Sequence, residues 1–118
     1  MSKIKWMDEP ESHDFPAAES YLGLIYLPEL ARNLVKRLRA APMTEFCAKD
    51  IFRASKENLL GVSNVHVQKN IDKVETGKAL SPLLLVRGKE RVIIADGYHR
   101  LVAVYRYDED AKIRCKIV

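Results

Sequence analysis

Two short apolar runs near the C-terminal end constrain the fold of this chain most strongly. Residues 83–86 (LLLV) and 92–95 (VIIA) are rich in β-prone side chains, and the loop between them passes through residues 88–90 (GKE). Runs of this length and spacing predict two strands joined by a tight connection. Residues 112–117 then alternate basic and apolar side chains, which predicts a closing strand with one face exposed.

Three segments with helical spacing precede these strands. The first helix is predicted to begin with Asp14 as its N-cap, and the second to run from Pro28 until Pro42 stops it. The third is predicted to start at a capping Ser63 and to end before Gly77. The side chains predicted to face the core are Phe15, Ala18, Leu22 and Ile25 in the first helix, Leu30, Leu34, Val35 and Leu38 in the second, and Val67, Ile71 and Val74 in the third.

The remaining segments complete an α+β pattern. Residues 44–49 alternate weakly and predict a strand, followed by a turn over residues 50–55. Residues 98–107 return to helical spacing. The predicted fold is therefore a single domain over residues 15–118, with about four helices and a small mixed sheet, preceded by an acidic arm over residues 1–14.

Composition excludes several classes of protein. The longest uninterrupted apolar stretch is far shorter than the roughly 20 residues of a membrane-spanning helix. The N-terminal residues lack the features of a secretory signal, which predicts a cytoplasmic protein without a membrane partner. Cys47 and Cys115 are too few and too far apart for a disulfide framework or a zinc cluster, so we interpret them as packed, reduced thiols. His13 lies among the acids of the arm without metal-ligand spacing, so no metal site is predicted there.

The basic charge is concentrated in one part of the chain. Residues 31–78 carry ten Lys or Arg against five acids. This surplus favours an anionic partner such as a phosphate-bearing small molecule or a nucleic acid, and a solvated basic face is the alternative.

The stretch 92–101 carries the most informative chemistry. A buried strand is followed by a turn at Gly97 and by a helix that opens with His99 and Arg100. The free amides of a helix N-terminus bind anions, and an imidazole and a guanidinium add donors there. A guanidinium also matches two phosphate oxygens at once. Asp96 is interpreted first as the helix cap, and alternatively as a group that orients His99 or holds a metal on the phosphates.

From residue chemistry alone, other interpretations stay open. Arg100 has the acids of residues 108–110 as alternative partners, and His99 has the alternative of being a hydrogen-bonded core histidine.

Residues 63–118 resemble the ParB/sulfiredoxin superfamily. The resemblance rests on the order of elements, on Leu80-Ser81-Pro82 before the first apolar strand, and on Asp96-Gly97-Tyr98-His99-Arg100 before the last helix. It implies a ParB/sulfiredoxin-like fold in which the 96–100 segment binds nucleotide phosphates. By position, the resemblance also implies that His66 and Lys69 of the third helix contribute to the same site. Positions three apart share one helix face, so both side chains can point at one ligand.

Departures from the superfamily pattern exclude some of the functions found in that superfamily. Tyr98 stands where sulfiredoxins carry their nucleophilic cysteine, so sulfinic acid reduction is not expected. Because the sequence ends at Val118, no helix-turn-helix of a partition protein is expected to follow. The sequence thus predicts a domain that binds ATP or CTP with Mg²⁺, as a switch or, if an enzyme, as a hydrolase or phosphotransferase with no assigned catalytic residue.

Two alternatives remain. The first is a non-enzymatic module for DNA binding or partition, which uses the basic residues of the second helix: Arg32, Lys36, Arg37 and Arg39. The second is a domain that has lost its ligand and binds a partner protein. Formation of a homodimer is left open.

Overall fold

The computed structural model describes residues 4–58 and 64–118. Within these ranges the chain forms five α-helices and one four-stranded sheet, so the predicted α+β class is confirmed with one helix more than expected. The helices are α1 (Asp14–Ile25), α2 (Pro28–Ala40), α3 (Ala48–Ser55), α4 (Val65–Glu75) and α5 (Tyr98–Tyr107). The strands are β1 (Thr44–Cys47), β2 (Leu83–Arg87), β3 (Val92–Asp96) and β4 (Lys112–Ile117). None of the helices in the described ranges is long and apolar enough to cross a membrane.

The sheet is mixed, with the strand order β1-β4-β2-β3. β2 and β3 form an antiparallel hairpin, β4 lies parallel to β2, and β1 pairs antiparallel with β4. The pairing of β2 with β3 shifts register beside Leu84, where Leu84 faces Asp96 and Leu85 faces Ile94. This bulge lies at the end of β3, one residue before Gly97, and bulges of this kind redirect the chain at the ends of strands.

The core occupies both faces of the sheet. Leu84 and Val86 pack toward α1 and α2, whereas Leu83 and Leu85 pack toward the layer of α3, α4 and α5. Because both faces are covered by helices, the central strand β2 carries an uninterrupted apolar run instead of an alternating one.

The two N-terminal helices are present as expected, but three of their residues were predicted wrongly. Asp14 is the first residue of α1, and the N-cap of this helix is His13. Ile25 and Leu30 were expected in the core, and both are exposed. They lie close to the connection between the two helices, and the buried residue at the start of α2 is Ala31 instead of Leu30.

The turn predicted over residues 50–55 is instead the helix α3. Its amides at Ala48 and Lys49 donate to the backbone carbonyls of Ala111 and Glu109, so the helix start is satisfied by a distant segment and by no side-chain cap. Ala48 and Ile51 are buried in the same core cluster as α5. Tertiary burial therefore stabilises a helix that is too short to show a clear period in the sequence.

The closing strand is less exposed than predicted. Ile113 and Cys115 are buried as expected, but Lys116 is also buried, with its ammonium donating to the carbonyl oxygen of Arg39 and pairing with Glu9. The second face of β4 is therefore covered at Lys116 by the end of α2 and by the N-terminal segment.

Residues 4–14, predicted as an acidic arm, lie along the folded body. The amide of Met7 donates to the carbonyl of Leu80 at 2.8 Å, and the amide of Leu80 donates to the carbonyl of Lys5 at 2.8 Å. Ile4 and Trp6 pack against the core cluster of α5. This contact holds the segment just before β2, close to the turn that precedes α5.

Candidate functional site

The turn between β3 and α5 depends on a glycine. Gly97 is the N-cap of α5 and has φ +107°, in the left-handed region that non-glycine residues rarely adopt. A Cβ at this position would lie 2.7 Å from Cγ of Leu83 and 2.8 Å from Nη2 of Arg100. The chain therefore passes tightly between β2 and the Arg100 guanidinium, and no side chain among the described residues caps the first amides of α5.

Asp96 does not cap α5, contrary to the prediction. Its carboxylate accepts a hydrogen bond from Nη2 of Arg100 at 2.9 Å, and the two side chains are only 18% and 17% exposed. The acids of residues 108–110 are not the partners of Arg100. Burial raises the pKa of Asp96 above its ordinary value, while the attraction of Arg100 opposes that rise. Nη2 of Arg100 is thus already paired within the protein, whereas its buried Nε has no hydrogen-bond partner among the described residues.

His99 and His66 meet across the interface of two helices. α4 packs on α5 through Val67, Val102 and Ala103, all of which are fully buried. This packing brings the ring centroids of His66 and His99 to 5.0 Å from each other. The predicted cap Ser63 lies outside the described residues, and the N-cap of α4 is Asn64, whose side chain accepts from the amides of His66 and Val67.

Lys69 follows His66 on α4 and is exposed. Among the described residues it forms no salt bridge. The structure therefore brings His66 and His99 together and leaves the Lys69 ammonium free to reach outward, while Asp96 and Arg100 are turned toward each other.

An open groove of about 400 Å³ lies beside the turn. It runs between α1 and the start of α5, and its lining residues are Ala17, Tyr21, Glu57, Ile94, Ala95, Asp96, Gly97, Tyr98 and His99. Tyr98 donates a hydrogen bond from its hydroxyl to the backbone carbonyl of Asn58. Burial, followed by the negative charge of Glu57, raises the pKa of Tyr98, so its hydroxyl stays protonated.

The pKa of His99 is lowered from the ordinary value of 6.5 by burial first, and then by the neighbouring His66 and Arg100. Since the folded state holds the ring neutral more strongly than the unfolded chain does, this contribution to stability is present above about pH 6.5 and is lost as the pH falls below that value.

This shift is directly measurable by NMR. The His99 ring is expected to titrate below 6.5, and His66→Ala is expected to move its pKa upward because one of the charges that disfavour protonation is removed. The substitution His13→Ala serves as the control, since His13 lies at the start of α1 beside Glu11 and Asp14. A His99 pKa that does not respond to His66→Ala would contradict the arrangement of the two rings.

Sequence reasoning missed a polar cluster near this site. Asp14 is only 3% exposed, and its Oδ2 accepts hydrogen bonds from Oγ of Ser81 and from the amide of Glu11. The negative charge of Asp14 also contributes to the raised pKa of Asp96. The only sequence signal was a lone acid before an apolar helix, which was interpreted as a cap, and its partner Ser81 lies too far along the chain to be inferred.

The thiols and carboxylates do not form a metal or thiolate centre in the described residues. No group of three or more His, Cys, Asp or Glu there is arranged to hold a metal ion. Cys47 and Cys115 are free, and burial raises the pKa of the Cys115 thiol to about 12. Cys115 is therefore a protonated core residue and not an activated nucleophile.

Comparison with protein-family models, with curated proteins and with solved structures finds no match to this chain.

Proposed function

We propose that this protein binds a nucleotide through its phosphates at the start of α5. The observation that carries the proposal is the pair His66 and His99, 5.0 Å apart, next to uncapped helix amides and an open groove. Helix N-termini favour negative charge, and imidazoles and ammonium groups donate to phosphate oxygens. The resemblance to the ParB/sulfiredoxin superfamily supports the same ligand class.

The donors in this proposal are the first amides of α5, the two imidazoles and the Lys69 ammonium. Arg100 is proposed as a positioning residue, because its salt bridge with Asp96 links the two sides of the turn and Arg100 itself does not line the groove. The base and ribose of the nucleotide would lie along the groove, against Ala17 and Tyr21 of α1.

Magnesium would accompany the phosphates as a bound counter-ion. Mg²⁺ prefers carboxylate and phosphate oxygens, and of the two acids lining the groove only Glu57 is outside a salt bridge among the described residues. Glu57 therefore fits the ion better than Asp96 does. When bound, Mg²⁺ would neutralise phosphate charge, which is what a nucleotide-dependent switch, a hydrolase or a phosphotransferase requires.

Calorimetric titration with ATP, ADP and CTP in Mg²⁺ tests this proposal. Lys69→Ala and His99→Ala are each expected to weaken binding about tenfold, since a charge-assisted hydrogen bond contributes roughly 1.5–3 kcal/mol. Lys36→Ala is the matched control, because it removes an equal charge from the exposed surface of α2. The absence of binding to all three nucleotides, or an equal loss in the Lys36 variant, would rule the site out.

A second candidate function is supported by the basic surface of α2. Four side chains there form no salt bridge among the described residues: Arg32, Lys36, Arg37 and Arg39. Arg39 lies over the ring of Phe15, at 4.4 Å from its centroid, and the others are exposed. We propose DNA binding through this surface as the alternative. It requires affinity that falls steeply with salt and is reduced by Lys36→Ala but not by Lys69→Ala.

We also propose that the protein acts in the cytoplasm. Its two free cysteines are compatible with a reducing compartment, where thiols are kept unpaired.

A further inference from the structure

The geometry of the His66 and His99 pair is also suited to a ligand other than phosphate. Each ring belongs to a different helix, and the two helices are fixed to each other by the buried contacts of Val67 with Val102 and Ala103. The ring planes are inclined by 48°. The relative position of the two rings is therefore set by the core and not by a flexible loop, which is the condition for a preformed ligand site.

The distance between the rings matches shared coordination of one ion. Zinc binds imidazole nitrogen at about 2.0–2.1 Å, which places two rings on the same ion with centroids roughly 5 Å apart. The observed separation is 5.0 Å. Neither ring has a hydrogen bond or salt bridge from its nitrogens within the described residues, so their lone pairs are available.

We infer that His66 and His99 together chelate a divalent transition-metal ion, of the class represented by Zn²⁺ and Ni²⁺, at the start of α5. Imidazole prefers these ions, whereas Mg²⁺ prefers oxygen ligands. The protein would supply two ligands, and water or an anion would complete the shell beside the groove that His99 lines. This site does not require nucleotide binding.

Titration of the tag-free protein with ZnCl₂ and with NiCl₂, in a buffer that does not chelate metals, tests the inference. We expect saturable binding of one ion per chain, weakened about tenfold or more by either His66→Ala or His99→Ala, since even loss of a supporting partner of a metal ligand weakens binding 10–100-fold. His13→Ala is the matched control, because His13 is the remaining histidine of the sequence and should leave the affinity unchanged.

A second measurement locates the ion. Paramagnetic Ni²⁺ should broaden the ring protons of His66 and His99 and leave those of His13 sharp. His66 is exposed, so His66→Ala removes no core contact and its fold can be verified by circular dichroism. Unchanged affinity in His66→Ala, an equal loss in His13→Ala, or no saturable binding would overturn the inference. Lys69→Ala distinguishes the two ligands, because it should weaken nucleotide binding and leave metal binding unchanged, although both proposals use His66 and His99.

Discussion

Replacing Gly97 by alanine is expected to destabilise the folded state by about 2–4 kcal/mol. Two costs add at this position. The first is the positive φ of +107°, which an alanine adopts only with strain, and the second is a Cβ placed 2.7 Å from Cγ of Leu83. Because Leu83 lies in the central strand β2 and is fully buried, it cannot move aside without disturbing the core. Urea unfolding followed by circular dichroism measures the loss.

Gly23→Ala is the matched control for this substitution. Gly23 lies inside α1, and a Cβ there meets nothing within 4 Å. Alanine at such a position is expected to raise the free energy of unfolding by about 0.5–1 kcal/mol, because glycine loses more conformational freedom in a helix. If Gly97→Ala were as stable as the Gly23 variant, the turn before α5 would not have the tight geometry described above.

Asp14→Ala is expected to destabilise the protein by about 1–3 kcal/mol, because the buried Ser81 hydroxyl loses its acceptor. The Ser81 hydroxyl and the Glu11 amide both donate to Asp14, and Ser81 is itself only 4% exposed. An unsatisfied buried donor costs about 1–3 kcal/mol, whereas the Glu11 amide keeps Oγ of Ser81 as its second acceptor at 3.2 Å. Asp8→Ala removes the same charge from an exposed position nearby and should change stability by less than about 0.5 kcal/mol.

A double-mutant cycle isolates the contact between Asp14 and Ser81. Ser81→Ala alone should destabilise, since the buried carboxylate then loses a donor. The double variant should differ in stability from the sum of the two single variants, because it removes the direct contact and also deprives the Glu11 amide of both its acceptors. Strict additivity in urea unfolding would show that the two groups do not interact and that the N-terminal segment is held by other contacts.

The parts of the fold that were predictable are those with a strong local pattern. β2 and β3 follow from two apolar runs, α4 and α5 follow from helical spacing, and Gly77 adopts the left-handed conformation expected after α4. The errors fall where burial is decided by distant segments. The first amides of α3 donate to the backbone carbonyls of Ala111 and Glu109, and no local sequence pattern predicts a helix that starts in this way. Lys116 is buried because the end of α2 and the N-terminal segment cover its face of β4.

The candidate site shows the same difference between features set by local sequence and features set by tertiary contacts. The residue types at positions 96–100, and the helix that follows them, could be read from the chain. The partner of each side chain could not be predicted, because several acids lie close to Arg100 in the sequence. In the fold Arg100 pairs with Asp96, because both lie at the start of α5, whereas residues 108–110 follow the opposite end of that helix.

The order of amino acids by itself determined where the chain forms its main helices and strands, because hydrophobic periods of two and of 3.6 residues act over neighbouring positions. Tertiary structure alone decided that His66 lies beside His99, that Asp14 binds Ser81 and that Arg100 is turned inward. The reason is that such contacts are set by how whole helices and strands pack on a shared core, and packing joins residues whose separation along the chain carries no local signal.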